Sequence, residues 1–208
     1  MPPKIDYVFT LLSPWAYLGF EAFHAVAKAH KASITYRPVM LGEVFSETGG
    51  LPLAKRHPAR QAYRMMELQR WRAMRGVPLL LHPKGFPCDI ALADCLALAI
   101  AEAGLSPEAY LRKAHRAIWA ENRHLDDEAT LLAILAQGGF DSSVLQVAKS
   151  EKITALYAQN RDWALKSGIF GAPSYVLNGE IFWGQDRISL LQDALETRRP
   201  PYSAKSDF

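Results

Sequence analysis

The hydrophobic period of this 208-residue chain switches twice, and the switch limits the folds open to it. Both ends carry short β-branched and aromatic runs, whereas the long middle has a helical period. IDYVFTLL (5–12) reads as a buried strand, AYLGFEAFHAVAKAH as a helix after Ser13-Pro14, and SITYRPV (33–39) as a second strand. Ser13 suits the N-cap, and Pro14 suits the first helical position, where an N–H would go unpaired anyway. Strand, helix and strand within about 35 residues make a right-handed βαβ unit with a parallel pair. Near the other end SYVL and EIFW flank Asn178-Gly179, the strongest short-range hairpin signal, and a helix over about 186–197 follows.

Between these ends, residues 40–58, with Gly49-Gly50 and Pro52, read as a loop. Helical patterns then cover 59–76, 89–103, 107–121, 126–137, 141–148 and 150–167, with the irregular GVPLLLHPKGFPCD after the first. The order βαβ, helical block, ββα predicts an α/β fold whose four-stranded sheet is interrupted by a large all-helical insertion. The boundaries expected are 1–40 and 168–197 for the sheet-bearing domain, 41–167 for the insertion, and 198–208 for a loosely ordered tail.

Composition excludes several roles. Lysine and arginine exceed aspartate and glutamate by only 24 − 21 = 3, too few to imply nucleic acid or a membrane surface. No run reaches the roughly 18 apolar residues of a membrane span. The N-terminus, with its early Asp6 and no small-residue cleavage site, does not read as a secretory signal. Cys88 and Cys95 are too few for a metal site or a disulfide framework, so buried free thiols and a cytoplasmic location are expected. No metal ligand set is legible, and the six histidines show no ligand spacing.

Three places are candidates for chemistry. Ser13 stands where the first strand turns into a helix, and unpaired N–H groups with the positive helix end favour an anion such as a thiolate there. A plain cap is the alternative reading. A Cys-x-x-Cys at such a place would exchange disulfides. Here the residues are Ser13-Pro14-Trp15-Ala16, so the chain has no dithiol chemistry of its own. Ala172-Pro173 precedes the hairpin, and a cis bond there would leave the Ala172 N–H and C=O free to pair with an extended peptide. Trp183-Gly184-Gln185-Asp186 leads into the last helix. Either Asp186 caps that helix and Trp183 is core, or the segment holds the charged end of a ligand. Tyr63, Met65, Met66 and Trp71 read as core first, with pocket lining as the alternative.

SPWAYLG, LQRWRAMRGVPL, GIFGAPSYVLNG and FWGQDR, in this order and spacing, resemble the 2-hydroxychromene-2-carboxylate isomerase family of the DsbA-like, kappa-class glutathione transferase group. The resemblance spans about residues 5–196. It implies a thioredoxin-like fold, a homodimer, and glutathione-dependent cis–trans isomerisation of an aromatic 2-oxo acid in bacterial degradation of aromatic compounds. By the same similarity Ser13 holds the glutathione sulfur and Ala172 pairs with the cysteinyl backbone. Trp183, Gly184, Gln185 and Asp186 hold the γ-glutamyl end. Lys55, Arg56 and Arg60 are candidates for the substrate carboxylate, with a solvated face as their alternative, and Phe86 takes an aromatic place. The family's basic residue at the start of the loop has no match, because Glu43, Val44 and Phe45 stand there. A glutathione transferase and a non-catalytic peptide-binding module are the rival readings.

Overall fold

The computed structural model describes residues 2–203. Strand β1 (Lys4–Phe9) runs into helix α1 (Pro14–Ala29), and β2 (Ser33–Pro38) returns parallel to β1 in the register Lys4 to Ser33 through Phe9 to Pro38. The chain re-enters the sheet at β3 (Ser174–Leu177), antiparallel to β1, and turns into β4 (Glu180–Trp183). Strand order is β2-β1-β3-β4. Asn178 and Gly179 sit at φ 52° and 86°, the left-handed pair that a two-residue hairpin needs.

The two-residue alternation of β1 and β3 divides the core. Ile5, Tyr7, Phe9, Tyr175 and Leu177 point to one face, where the Tyr7 and Tyr175 rings stack 5.5 Å apart and Phe23 of α1 closes on both. Val8 and Val176 point to the other and meet Val39, Val44, Ala164 and Ile169. Helices cover both faces, as a sheet flanked by helices requires.

The middle of the chain forms α2 (Leu41–Thr48), α3 (Pro58–Arg75), α4 (Ala91–Glu102), α5 (Glu108–Trp119), α6 (Glu128–Gly138), α7 (Val144–Ala148) and α8 (Glu151–Lys166). The last helix is α9 (Ile188–Thr197), preceded by a 3-10 turn at Gln185–Arg187. Helix α4 is apolar nearly all round and is buried over Ala93–Ile100. Its side chains join those of α1, α5, α6 and the sheet in one continuous cluster.

Several expectations need correction. The segment read as a loop at 40–58 contains α2 and a 3-10 turn at Leu53–Lys55. Helix α2 is short and has no side-chain N-cap to announce it, although Leu41, Val44 and Phe45 keep a helical spacing and left-handed Gly49 closes it. Tyr63 and Met66 are exposed rather than core, because α3 buries only Leu68. Cys88 is half-buried and Cys95 buried, both as free thiols. The start of the expected loose tail is tied down: Arg199 makes paired bonds of 2.7 and 2.8 Å to Glu180 and stacks on Tyr202. The tail beyond residue 203 lies outside the described residues. Among those described, no helix is long and apolar enough to cross a membrane, and no three His, Cys, Asp or Glu gather as a metal site.

Candidate active site

Ser13 has the extended backbone of an N-cap (φ −92°, ψ 113°), and its Oγ accepts the Ala16 N–H at 3.2 Å. Helix α1 carries no acid in its first turn, so nothing on the helix itself neutralises its positive end. The Ser13 hydroxyl donates to the carbonyl of Ala172 at 3.2 Å, across 159 residues of sequence. That bond brings the first two candidate places together. The Ala172–Pro173 bond is cis. The expectation that both backbone groups of Ala172 stand free holds for one of them. The N–H pairs with no acceptor among the described residues, but the C=O takes the Ser13 proton because the strand-to-helix turn packs directly against this loop.

The third place joins the same corner. The Gly184 N–H donates to Pro173 O at 2.9 Å. A Cβ on Gly171 would lie 2.4 Å from the Trp183 indole nitrogen, and only glycine permits that approach. Trp183 is half exposed and edge-on to Phe170 at 4.6 Å, so it is a wall of the corner rather than core. A Cβ on Gly19 of α1 would meet the Gln185 Cβ at 2.6 Å, so the turn at Gln185–Arg187 is seated on α1. Gln185 is buried, and Arg75 of α3 engages it through Nη2 to Oε1 at 2.8 Å and Nη2 to the backbone O at 3.0 Å. Asp186 does not cap α9. Its carboxylate is exposed and pairs with the neighbouring Arg187, since the intervening 3-10 turn moves it off the helix start.

The substrate candidates are more dispersed. Phe86 packs on Trp119 at 5.3 Å, and the Trp119 indole N–H donates to Leu11 O, so Phe86 lies two contacts from the Ser13 turn. Lys55 and Arg60 are exposed, and among the described residues no hydrogen bond or ion pair joins them to Ser13. Arg56 lies over the Phe45 ring and donates to Leu51 O. Burial lowers the pKa of Arg56 and of Arg64, and each is pushed further by a like charge, Arg60 for the first and Arg56 for the second. Arg56, Arg60 and Arg64 have no acidic partner among the described residues, so they form an uncompensated basic group. Sequence reasoning passed over Arg64 and Arg75. Arg75 stands one residue before Gly76 in the quoted motif LQRWRAMRGVPL, and that place was its only signal. An open cavity of about 900 Å³ lies elsewhere, between α1 and the β2 edge, lined by His24, Tyr36, Arg37 and Arg112.

The model of the DSBA-like thioredoxin domain family matches residues 4–196. The chain belongs to the DsbA-like thioredoxin family. Within it, the chain is 29% identical over 198 residues to a 2-hydroxychromene-2-carboxylate isomerase of Sphingobium xenophagum, covering 94% of this chain and 99% of that one. It is 26% identical over 212 residues to glutathione S-transferase kappa 1 of Caenorhabditis elegans, covering 95% and 93%. A solved 2-hydroxychromene-2-carboxylate isomerase superposes with a TM-score of 0.77 at 25% identity, over 94% of this chain and 95% of that one. The start of α1 holds Ser13-Pro14-Trp15-Ala16, with a hydroxyl and no thiol.

Proposed function

We propose that this protein is a glutathione-dependent cis–trans isomerase acting on an aromatic 2-oxo acid. The observation that carries the reading is the Ser13 Oγ–Ala172 O bond at the N-terminus of α1. It joins a non-ionising donor and an unpaired backbone N–H in one buried corner. That corner suits a short thiol peptide: the Ala172 N–H takes a backbone carbonyl, and the Ser13 hydroxyl lies beside the helix start. Residues around Trp183, Gly184 and Asp186 stand where the γ-glutamyl end would extend, with Gln185 fixed beneath them.

Glutathione, when bound, supplies the thiolate that adds to a conjugated double bond, lets the resulting single bond rotate, and leaves again. The protein's part is to prefer S⁻ over SH. Ser13 Oγ–H turns from the Ala172 carbonyl to the sulfur, and the Trp15 N–H, which has no acceptor among the described residues, adds its partial charge at the positive end of α1. A serine here cannot form a disulfide, so the site keeps the thiol for addition and elimination. Arg56, Arg60 and Arg64, with Lys55, are the groups available for the substrate carboxylate and for the negative charge that grows on its carbonyl oxygen. Phe86 supplies an apolar surface for the aromatic ring.

The kappa-class relative favours a second reading, a transferase that releases a conjugate. The two differ in stoichiometry. With an aromatic enone carboxylate in large excess, an isomerase turns over many times on substoichiometric glutathione, whose concentration stays constant. Mole-for-mole loss of the thiol overturns the isomerase in favour of the transferase. We place the protein in the cytoplasm as a homodimer, and sedimentation at working concentration tests the latter.

A further inference from the structure

Asp94 of α4 is completely buried, yet it lies within an otherwise apolar helix. An isolated carboxylate is costly in such surroundings and persists only where donors surround it. Its donors come from two directions. The Tyr157 hydroxyl of α8 reaches Oδ2 at 2.9 Å. The Thr10 hydroxyl reaches Oδ2 and the Leu11 N–H reaches Oδ1, each at 3.4 Å. Thr10 and Leu11 open the turn that ends at Ser13, and the Ser13 N–H itself donates to Thr10 O at 3.0 Å. On the other side of the same turn, the Trp119 indole N–H holds Leu11 O at 2.9 Å. The helical block thus grips the turn at three points.

We propose that Asp94 is a positioning residue for Ser13. Its carboxyl group anchors Thr10 and Leu11, and the anchored turn aims Ser13 and the Trp15 N–H at the bound sulfur. Its catalytic meaning rests on the role proposed above for Ser13, whereas the anchoring does not need glutathione to be present. The titratable groups that face Asp94 are Tyr7 of β1, Tyr110 of α5, Tyr157 of α8 and Cys95 of its own helix. None is a cation, so the carboxyl group depends on the Tyr157 and Thr10 hydroxyls and the Leu11 amide. Burial raises its pKa to about 7 against their pull.

A thiol placed at position 13 reports the turn without any ligand. In Ser13→Cys the pKa of that thiol is read from the pH dependence of iodoacetamide alkylation. Mass spectrometry of the peptide separates it from Cys88 and Cys95. A helix start holds the value below the ordinary figure of about 8.5. Adding Asp94→Ala, which removes both anchors, is expected to raise it by about one unit as the donors lose their aim. Adding Asp94→Asn keeps an acceptor for Leu11 and leaves most of the depression in place. If both substitutions lower the pKa, Asp94 acts only as a distant like charge and the proposal fails. If neither moves it, the bonds serve the core alone and the proposal fails again. Should Asp94→Ala not fold, Thr10→Val carries the test, since it cuts one of the two anchors and must raise the same pKa by a smaller amount. A wild-type protein that binds no glutathione while this pattern holds sinks the proposed function and leaves the anchor standing.

Discussion

Arg75 holds Gln185 by both its side-chain and its backbone oxygen, across 110 residues of sequence. The guanidinium also lies 5.2 Å above the Trp71 ring, so the last turn of α3 is bolted to the segment that follows β4. A planar fork makes these bonds and an ammonium cannot reproduce them. Arg75→Lys is therefore expected to raise the KM for glutathione about tenfold, with kcat changed less, because charged hydrogen bonds of this kind contribute roughly 1.5–3 kcal/mol. An unchanged KM reduces the contact to packing.

Ser13→Ala removes the only side-chain hydroxyl at the start of α1. The rate should fall by about 10²–10³, the usual loss for one donor at a developing charge. The pKa of bound glutathione should rise, as followed by thiolate absorbance. Stability should drop by only about 1 kcal/mol, the ordinary cost of a lost N-cap. Equal rates and equal thiol pKa values would leave Ser13 as a cap and nothing more.

Arg64 is half-buried beside Arg56, with no carboxylate among the described residues to balance it. Substituting Arg64→Gln should raise the KM for the aromatic acid about tenfold while leaving glutathione affinity unchanged, since an ion pair with a partly desolvated anion is worth about 1–2 kcal/mol. The same substitution should weaken the dependence of KM on salt. Loss of glutathione binding instead would move the basic group to the other ligand.

Asp94 and His115 pull stability in opposite directions with pH. Asp94 rises from 3.8 to about 7 through burial, so the folded state keeps its proton longer than the unfolded chain does. Its contribution therefore falls as pH climbs from about 4 to about 7 and is level beyond. His115 is pushed down to about 3 by burial and then by the nearby His24, so its contribution is lost as pH drops below about 6.5. Asp94→Asn removes the first effect alone. In denaturant melts the stability difference between variant and wild type should shift in favour of the variant by more than about 1 kcal/mol between pH 5 and pH 8. A constant difference would mean that Asp94 does not titrate in that range.

The elements whose signals are local were legible from the sequence. Asn178-Gly179 dictates its own turn because only left-handed backbone closes a two-residue hairpin, and the strands beside it stand at the residues read, 174–177 and 180–183. Ser13-Pro14 announces the start of α1 because capping and a fixed φ are properties of two residues. Helix α2 was missed because it is only eight residues long and opens on Met40 without a side-chain cap, so its Leu41, Val44 and Phe45 were absorbed into the Gly- and Pro-containing stretch that follows. Asp94 was invisible for the opposite reason: one acid in ALADCLALAIAE cannot announce that Thr10, Leu11 and Tyr157 surround it. The Ser13–Ala172 and Arg75–Gln185 bonds were likewise settled only when the chain closed on itself. A hydrogen bond between residues more than a hundred positions apart depends on the packing of every element between them, and no pattern of neighbours along the chain encodes it.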